Sequence, residues 1–220
     1  MLYTSTSLHY IIYLEYLCIE LWHRLNFKGV MTLREILETE KHLITQQRES
    51  EKKFLAELKK GDYTLENPLV VKNPYLINPL AAVICFKTVT ETSVEIKVKG
   101  KTEEADLIHK FDGTKEHVLP VYGLYDDYEN IIVLKLEDGR EAEVRIPIEE
   151  LDINKAHYCK TTYEYFGKDI MAISIATPLV ESGRTCGFDF AGDLRWVITE
   201  KASWDIKKLS NGRLLVTSYR

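Results

Sequence analysis

At Gly61 the hydrophobic pattern of this chain changes period, and that change constrains the fold more than any other feature. Before it, apolar residues recur at Leu33, Ile36, Leu37, Leu43, Ile44, Phe54, Leu55 and Leu58, close to the 3.6-residue repeat of an amphipathic helix. Thr32-Leu-Arg-Glu35 has the form of a capping box, in which hydroxyl and carboxylate each satisfy an orphan N–H. Glu49 and Lys53 fall at i,i+4 on the wet side. Lys59 and Lys60 before Gly61 mark a helix end. Such a helix either docks a partner or second copy, or covers its own domain.

After Gly61 the apolar runs are short, alternating or continuous, and bounded by turn residues, as strands require. Strands are expected near 68–73, 79–88, 93–100, 104–111, 116–121, 130–137 and 140–148, and seven short strands suggest a sandwich. Val94, Ile96 and Val98 alternate with charged residues, so one face of that strand should be buried and the other solvated. Asp138-Gly139 between two such runs is a two-residue hairpin signal, both central positions calling for positive φ. Gly123-Leu-Tyr-Asp-Asp-Tyr128 reads as a tyrosine corner, a structural role for Tyr128 in an immunoglobulin- or fibronectin-III-like module.

Residues 149–170 read as a connector, followed by short strands in MAISIATP, RTCGFDF, DLRWVIT, SWDIKKL and RLLVTSY. Ala191-Gly192-Asp193 and Asn211-Gly212 mark turns. This series, with Trp196 and Trp204 near turn positions, suits a blade of a β-propeller. A lone blade leaves its faces and an edge uncovered, so the expectation is a chain that stops inside the first blade of a larger ring. The expected division is 1–61 helical, 62–150 sandwich, and 151–220 connector with the first blade of a truncated propeller, mainly β overall.

Composition narrows the partners. With 45% hydrophobic and 10% aromatic residues the chain can bury a sizeable core. The net charge is −5, and residues 63–150 hold 17 acidic against 10 basic side chains, which is no field for a nucleic-acid backbone. Residues 8–22 are apolar, yet Glu15 and Glu20 interrupt them and no Lys or Arg precedes them, which argues against a membrane span or a signal peptide. They read as a partner-packed helix or as translated upstream sequence with Met31 the true start, the second being favoured; residues 1–30 are then a spurious extension. Cys18, Cys85, Cys159 and Cys186 lie far apart without C-x-x-C spacing, and buried free thiols are expected rather than a zinc site.

Several residues invite a chemical reading. His109 and His117 could form a metal or acid–base pair, but no carboxylate or third ligand stands at a supporting spacing, and a structural role is expected. His157 beside Cys159 lacks an orienting group for a Cys/His pair. Arg184 and Arg195 could offer a planar fork of donors to a sulfate, or sit at a rim pairing with Asp189 or Asp193, which is favoured. Asp189, Gly192 and Trp196 form D-x-x-G-x-x-x-W, whose chemistry is architectural: a turn and a large aromatic filler. Gly192 and Gly212 answer backbone needs.

Four stretches, 63–88, 94–106, 117–136 and 187–198, carry a resemblance to the bacterial aryl-sulfate sulfotransferases. The most specific pieces are Asn73-Pro74-Tyr75 with Pro79-Leu80, Pro120-Val-Tyr-Gly-Leu-Tyr125 with Asp127-Tyr128-Glu129-Asn130, and Gly187-Phe-Asp-Phe-Ala-Gly192-Asp-Leu-Arg-Trp196. The resemblance implies an N-terminal β-sandwich followed by a six-bladed propeller. It also implies sulfuryl transfer from a phenolic sulfate donor to a phenol acceptor through a sulfated histidine, without the nucleotide donor 3′-phosphoadenylyl sulfate or any other cofactor. Relatives are commonly periplasmic, and a homodimer is compatible with the helix. None of His9, His23, His42, His109, His117 and His157 lies in the blade portion. No catalytic, cofactor or metal residue is therefore carried over, the catalytic part is expected beyond residue 220, and the alternative is a non-catalytic interaction module.

Overall fold

A computed structural model of the chain describes residues 33–152, 164, 170–174, 185–199, 202–210 and 214–218. The apolar segment 8–22, Thr32, Cys18, Cys159, His157, Arg184 and the Asn211-Gly212 turn lie outside the described residues. Helix α1 runs Leu33–Lys60 and ends as the sequence indicates, with Gly61 N–H bonded to Glu57 O at 2.9 Å. Its last carbonyls meet a cation from the sheet: Lys87 Nζ donates to Lys59 O (3.2 Å) and Gly61 O (3.1 Å), placing positive charge at the negative end of the helix dipole.

Five strands follow: β1 (Leu69–Lys72), β2 (Ala81–Val98), β3 (Leu107–Tyr122), β4 (Tyr128–Leu136) and β5 (Glu141–Ile148). The seven expected strands are thus five, because 79–88 with 93–100 and 104–111 with 116–121 are each one long strand. The polar stretch near 88–92 is a bend in a continuous ladder, with register shifts at Lys87/Thr92 and Thr92/Val94, where extra residues kink a strand without ending it.

The bend turns one sheet into two layers. β1 pairs with β2 at residues 82–85, whereas β4 pairs with the same strand at residues 94–98, so the sheet has three strands at one end and four at the other. Ala82, Ile84 and Phe86 from the first end join Val94, Ile96, Val98, Ile132, Leu134 and Ile146 from the second in one core. Opposite side chains on the first end, Val83 and Cys85, meet Phe54 and Leu58 of α1. That is why Leu80–Phe86 is buried without alternation: the core covers one face and the helix the other. Of the two readings of α1, the described contacts show the cover on its own domain.

Two turns differ from expectation. In the β4–β5 hairpin only Gly139 takes positive φ (+89°) while Asp138 does not, and Leu136 N–H bonds Arg140 O at 2.9 Å. This is a three-residue loop with a glycine bulge rather than a two-residue primed turn. Nor is Tyr128 the corner tyrosine: it is 38% exposed and edges onto the Tyr125 ring, and the buried phenol is that of Tyr125.

The remaining strands form two ladders: β6 (Met171–Ser174), β7 (Thr185–Phe188) and β8 (Leu194–Ile198) in one sheet, β9 (Ala202–Lys208) with β10 (Leu214–Ser218) in the other. All five expected strands are present. Contrary to the picture of uncovered faces, Cys186, Phe188, Leu194 and Val197 belong to the same core as the sandwich. None of the described helices is long and apolar enough to cross a membrane.

Candidate functional site

The densest polar constellation among the described residues lies where the sandwich meets the β7–β8 hairpin. Asp189 follows β7 and its carboxylate is divided between two tasks. Oδ1 accepts from Ala191 N–H (3.0 Å) and Asp193 N–H (3.1 Å), closing the turn around Gly192, whose φ is +82°. Oδ2 accepts from Arg195 Nη1 at 3.0 Å and from the Tyr125 hydroxyl at 3.4 Å.

Arg195 reaches inward because of a bulge. Gly187 pairs with Trp196 and Phe188 with Leu194, so Arg195 is the extra residue without an opposite number, and a bulge re-aims its side chain. The guanidinium is 1% exposed. Nε donates to Gly123 O (2.9 Å); Nη1 serves Ala105 O (3.2 Å), the Tyr125 hydroxyl (2.7 Å) and Asp189. Its Cζ lies over the Tyr125 ring, 4.1 Å from the centroid, adding a cation–π contact in a desolvated place. Nη2 is buried with no hydrogen-bond acceptor among the described residues.

The sandwich supplies the other half. Asn130, fully buried, accepts from Tyr125 N–H at 2.6 Å and donates to Tyr125 O, Tyr128 O and Ile146 O, so the Tyr125 backbone is held on both sides. Burial pushes the Tyr125 hydroxyl up to about 12, which keeps it a neutral donor to Asp189. Lys101 N–H bonds that same oxygen (3.2 Å), while Lys101 Nζ pairs with Asp193 Oδ1 at 2.5 Å and lies 4.9 Å from the Tyr125 ring.

A second stitch lies at the loop 73–80. Asn73 Oδ1 accepts from Asn78 N–H, and Asn78 Oδ1 from Leu80 and Val197 N–H; Thr199 N–H bonds Ile77 O at 2.9 Å. The outer edge of β8 is thereby occupied by side chain and loop. The same loop is tied to α1 through Gln47 to Tyr75 O and Ser50 to Pro74 O. Burial, and then Glu51, pushes the Tyr75 hydroxyl up to about 12.

The residues weighed from sequence separate clearly. Arg195 does pair with Asp189, but in a buried seam and not at a rim, so its guanidinium has no open approach for a sulfate. Trp196 fills space against Gly187, where an added Cβ would stand 2.0 Å from the indole nitrogen. His109 and His117 are not brought together: they pair with Ile96 and Phe86, ten positions apart on β2. His109 edges onto Phe111 at the surface, whereas His117 is fully buried and stacked on Phe86. Cys85 and Cys186 are buried thiols outside any disulfide, and burial pushes that of Cys85 up to about 12, which makes it inert. No group of His, Cys, Asp or Glu among the described residues could hold a metal ion.

What sequence reading missed was Tyr125 as the meeting point, although the signal was present. The quoted stretches at 73–80, 120–130 and 187–196, scattered along the chain, all converge on this seam. A comparison with curated proteins finds no match. Against protein families, residues 69–151 match the arylsulfotransferase Ig-like domain, a range that runs from β1 through β5 to Leu151, whose N–H is held by Asp126 at 2.7 Å. That match, on the curled antiparallel sheet that fills the matched range, identifies residues 69–151 as an arylsulfotransferase Ig-like domain.

Proposed function

We propose that this chain supplies the N-terminal scaffold of an aryl-sulfate sulfotransferase, an enzyme moving a sulfuryl group from a phenolic sulfate ester to another phenol. In this reading an imidazole nitrogen displaces phenolate from sulfur, and the acceptor phenol then takes the sulfuryl group from the sulfated histidine as its own proton leaves to a base. Such a route divides one difficult transfer into two and needs donors on the sulfuryl oxygens as charge develops. The observation that carries the reading is the arylsulfotransferase Ig-like match over 69–151. The described part serves as scaffold because its one guanidinium at the seam is committed to Asp189, Gly123 and Tyr125.

A propeller start in 151–220 is part of the same proposal, supported by five short antiparallel strands after the sandwich. The rival reading, an interaction module using its final strands as an edge for partner pairing, has less support from the β7–β8 hairpin, where Val197 of β8 and Thr199 just after it already give their amides to Asn78 and Ile77. The test is transfer from a chromogenic phenyl sulfate to a phenol, with mass spectrometry of the protein. Residues 1–220 alone are expected to show no turnover and no sulfated histidine; turnover with sulfate on a histidine of this chain overturns the scaffold assignment.

A further inference from the structure

We infer that the Ig-like sandwich is the folding template for the β7–β8 hairpin, so that residues 185–199 acquire their structure only on a sandwich already formed. The matched range ends at residue 151, yet the buried core does not. Of the twenty-one buried residues in the main cluster, seventeen come from the sandwich and its lead-in and four, Cys186, Phe188, Leu194 and Val197, from the hairpin. The asymmetry sets the order: the sandwich keeps most of its core without the hairpin, whereas among the described residues the buried side chains of the hairpin share no core other than that of the sandwich. Strands of four and five residues are marginal in water until a hydrophobic surface covers them.

The polar groups point the same way. Arg195 is buried beside a single carboxylate, and the other acceptors that meet its Nε and Nη1, Gly123 O, Ala105 O and the Tyr125 hydroxyl, all belong to the sandwich. A guanidinium and carboxylate stripped of water are stable only where further hydrogen bonds complete them. The edge of β8 behaves likewise, Val197 and Thr199 N–H being matched by Asn78 Oδ1 and Ile77 O. Core, ion pair and edge are three independent features, and in each the hairpin takes what the sandwich provides. The inference does not rest on the sulfotransferase reading, since it concerns the order of folding and no catalysis.

The experiment is pulsed hydrogen exchange with mass spectrometry on the full chain refolding from denaturant. Amides of Ile96, Ile132 and Leu134 are expected to gain protection before those of Gly192, Asp193, Val197 and Thr199. At equilibrium, Tyr125→Phe should speed exchange at the four hairpin amides by about tenfold or more while leaving those of Ile132 and Leu134 unchanged, local opening being separable from global unfolding. Hairpin amides protected together with or before the sandwich overturn the inference. So does unchanged hairpin exchange in Tyr125→Phe. Should that variant fail to fold, the refolding order of the unaltered chain decides alone.

Discussion

Arg195 and Asp189 face each other across a hairpin turn with Nη1 3.0 Å from Oδ2, the two side chains 1% and 7% exposed. A pair so removed from water gains little over an apolar pair of the same shape, but removing one partner strands the other. Arg195→Met is therefore expected to lower stability by about 3–5 kcal/mol, and Arg195→Met with Asp189→Asn by clearly less than the two single losses added. Urea unfolding of the four proteins checks this. A loss below about 1 kcal/mol in the single variant would place the pair with ordinary surface bridges.

Gly187 is the only residue type that fits opposite Trp196, because a Cβ there would lie 2.0 Å from Nε1 and 2.2 Å from Cε2 of the indole. Gly187→Ala must push the ring aside, an overpacking cost of about 1–3 kcal/mol. Adding Trp196→Leu should return part of it. Thermal melts of both variants measure the difference; equal melting temperatures for Gly187→Ala and the unaltered chain count against the contact.

Much of this architecture can be read before folding, and the places where it cannot share a cause. Helix end, strand positions and inward Val94, Ile96 and Val98 follow from periodicity, which is a local signal. A bulge is not local: whether Thr88–Thr92 breaks a strand or bends it depends on the partner, and no Gly or Pro marks the spot. Arg195 escaped for the same reason, since strict alternation sends it to the face opposite Leu194, whereas the unpaired position lets both be buried. Tyr125 in the loop and Tyr128 at the start of β4 are three residues apart. Positive φ at Asp127 (+48°) reverses the chain between them and decides which phenol goes in.

Leu58 is 1% exposed beneath the sheet, packed with Phe54 against Val83 and Cys85, while Lys53 on the same helix is exposed. If α1 is held as a cover on the domain, Leu58→Ala should cost about 2–5 kcal/mol and Lys53→Ala no more than about 0.5 kcal/mol. Chemical denaturation followed by far-ultraviolet circular dichroism separates the cases. A helix that melts in Leu58→Ala while the sheet keeps its full stability would show the two to be independent.

His117 sets a pH dependence. Its ring is fully buried and stacked on Phe86 at 4.5 Å, with Nε2 3.0 Å from Thr88 Oγ1. The shortest contact of the Thr88 hydroxyl is to Thr90 O at 2.8 Å, which favours the tautomer in which Nε2 carries the hydrogen and donates. Nδ1 is then a bare, buried acceptor without a partner among the described residues. Protonation would place a charge and a new N–H where neither is solvated, and burial accordingly lowers the His117 pKa below its ordinary value. Between that lowered value and about 6.5 the unfolded chain binds more protons than the folded one, so stability rises with pH through this window and is lost as pH falls through it. His117→Phe keeps the ring stack and removes the titration. Its melting temperature should fall less between pH 7 and pH 5 than that of the unaltered chain, a range chosen to lie above most carboxylate titration; parallel slopes would mean that His117 is protonated at no cost in the folded state.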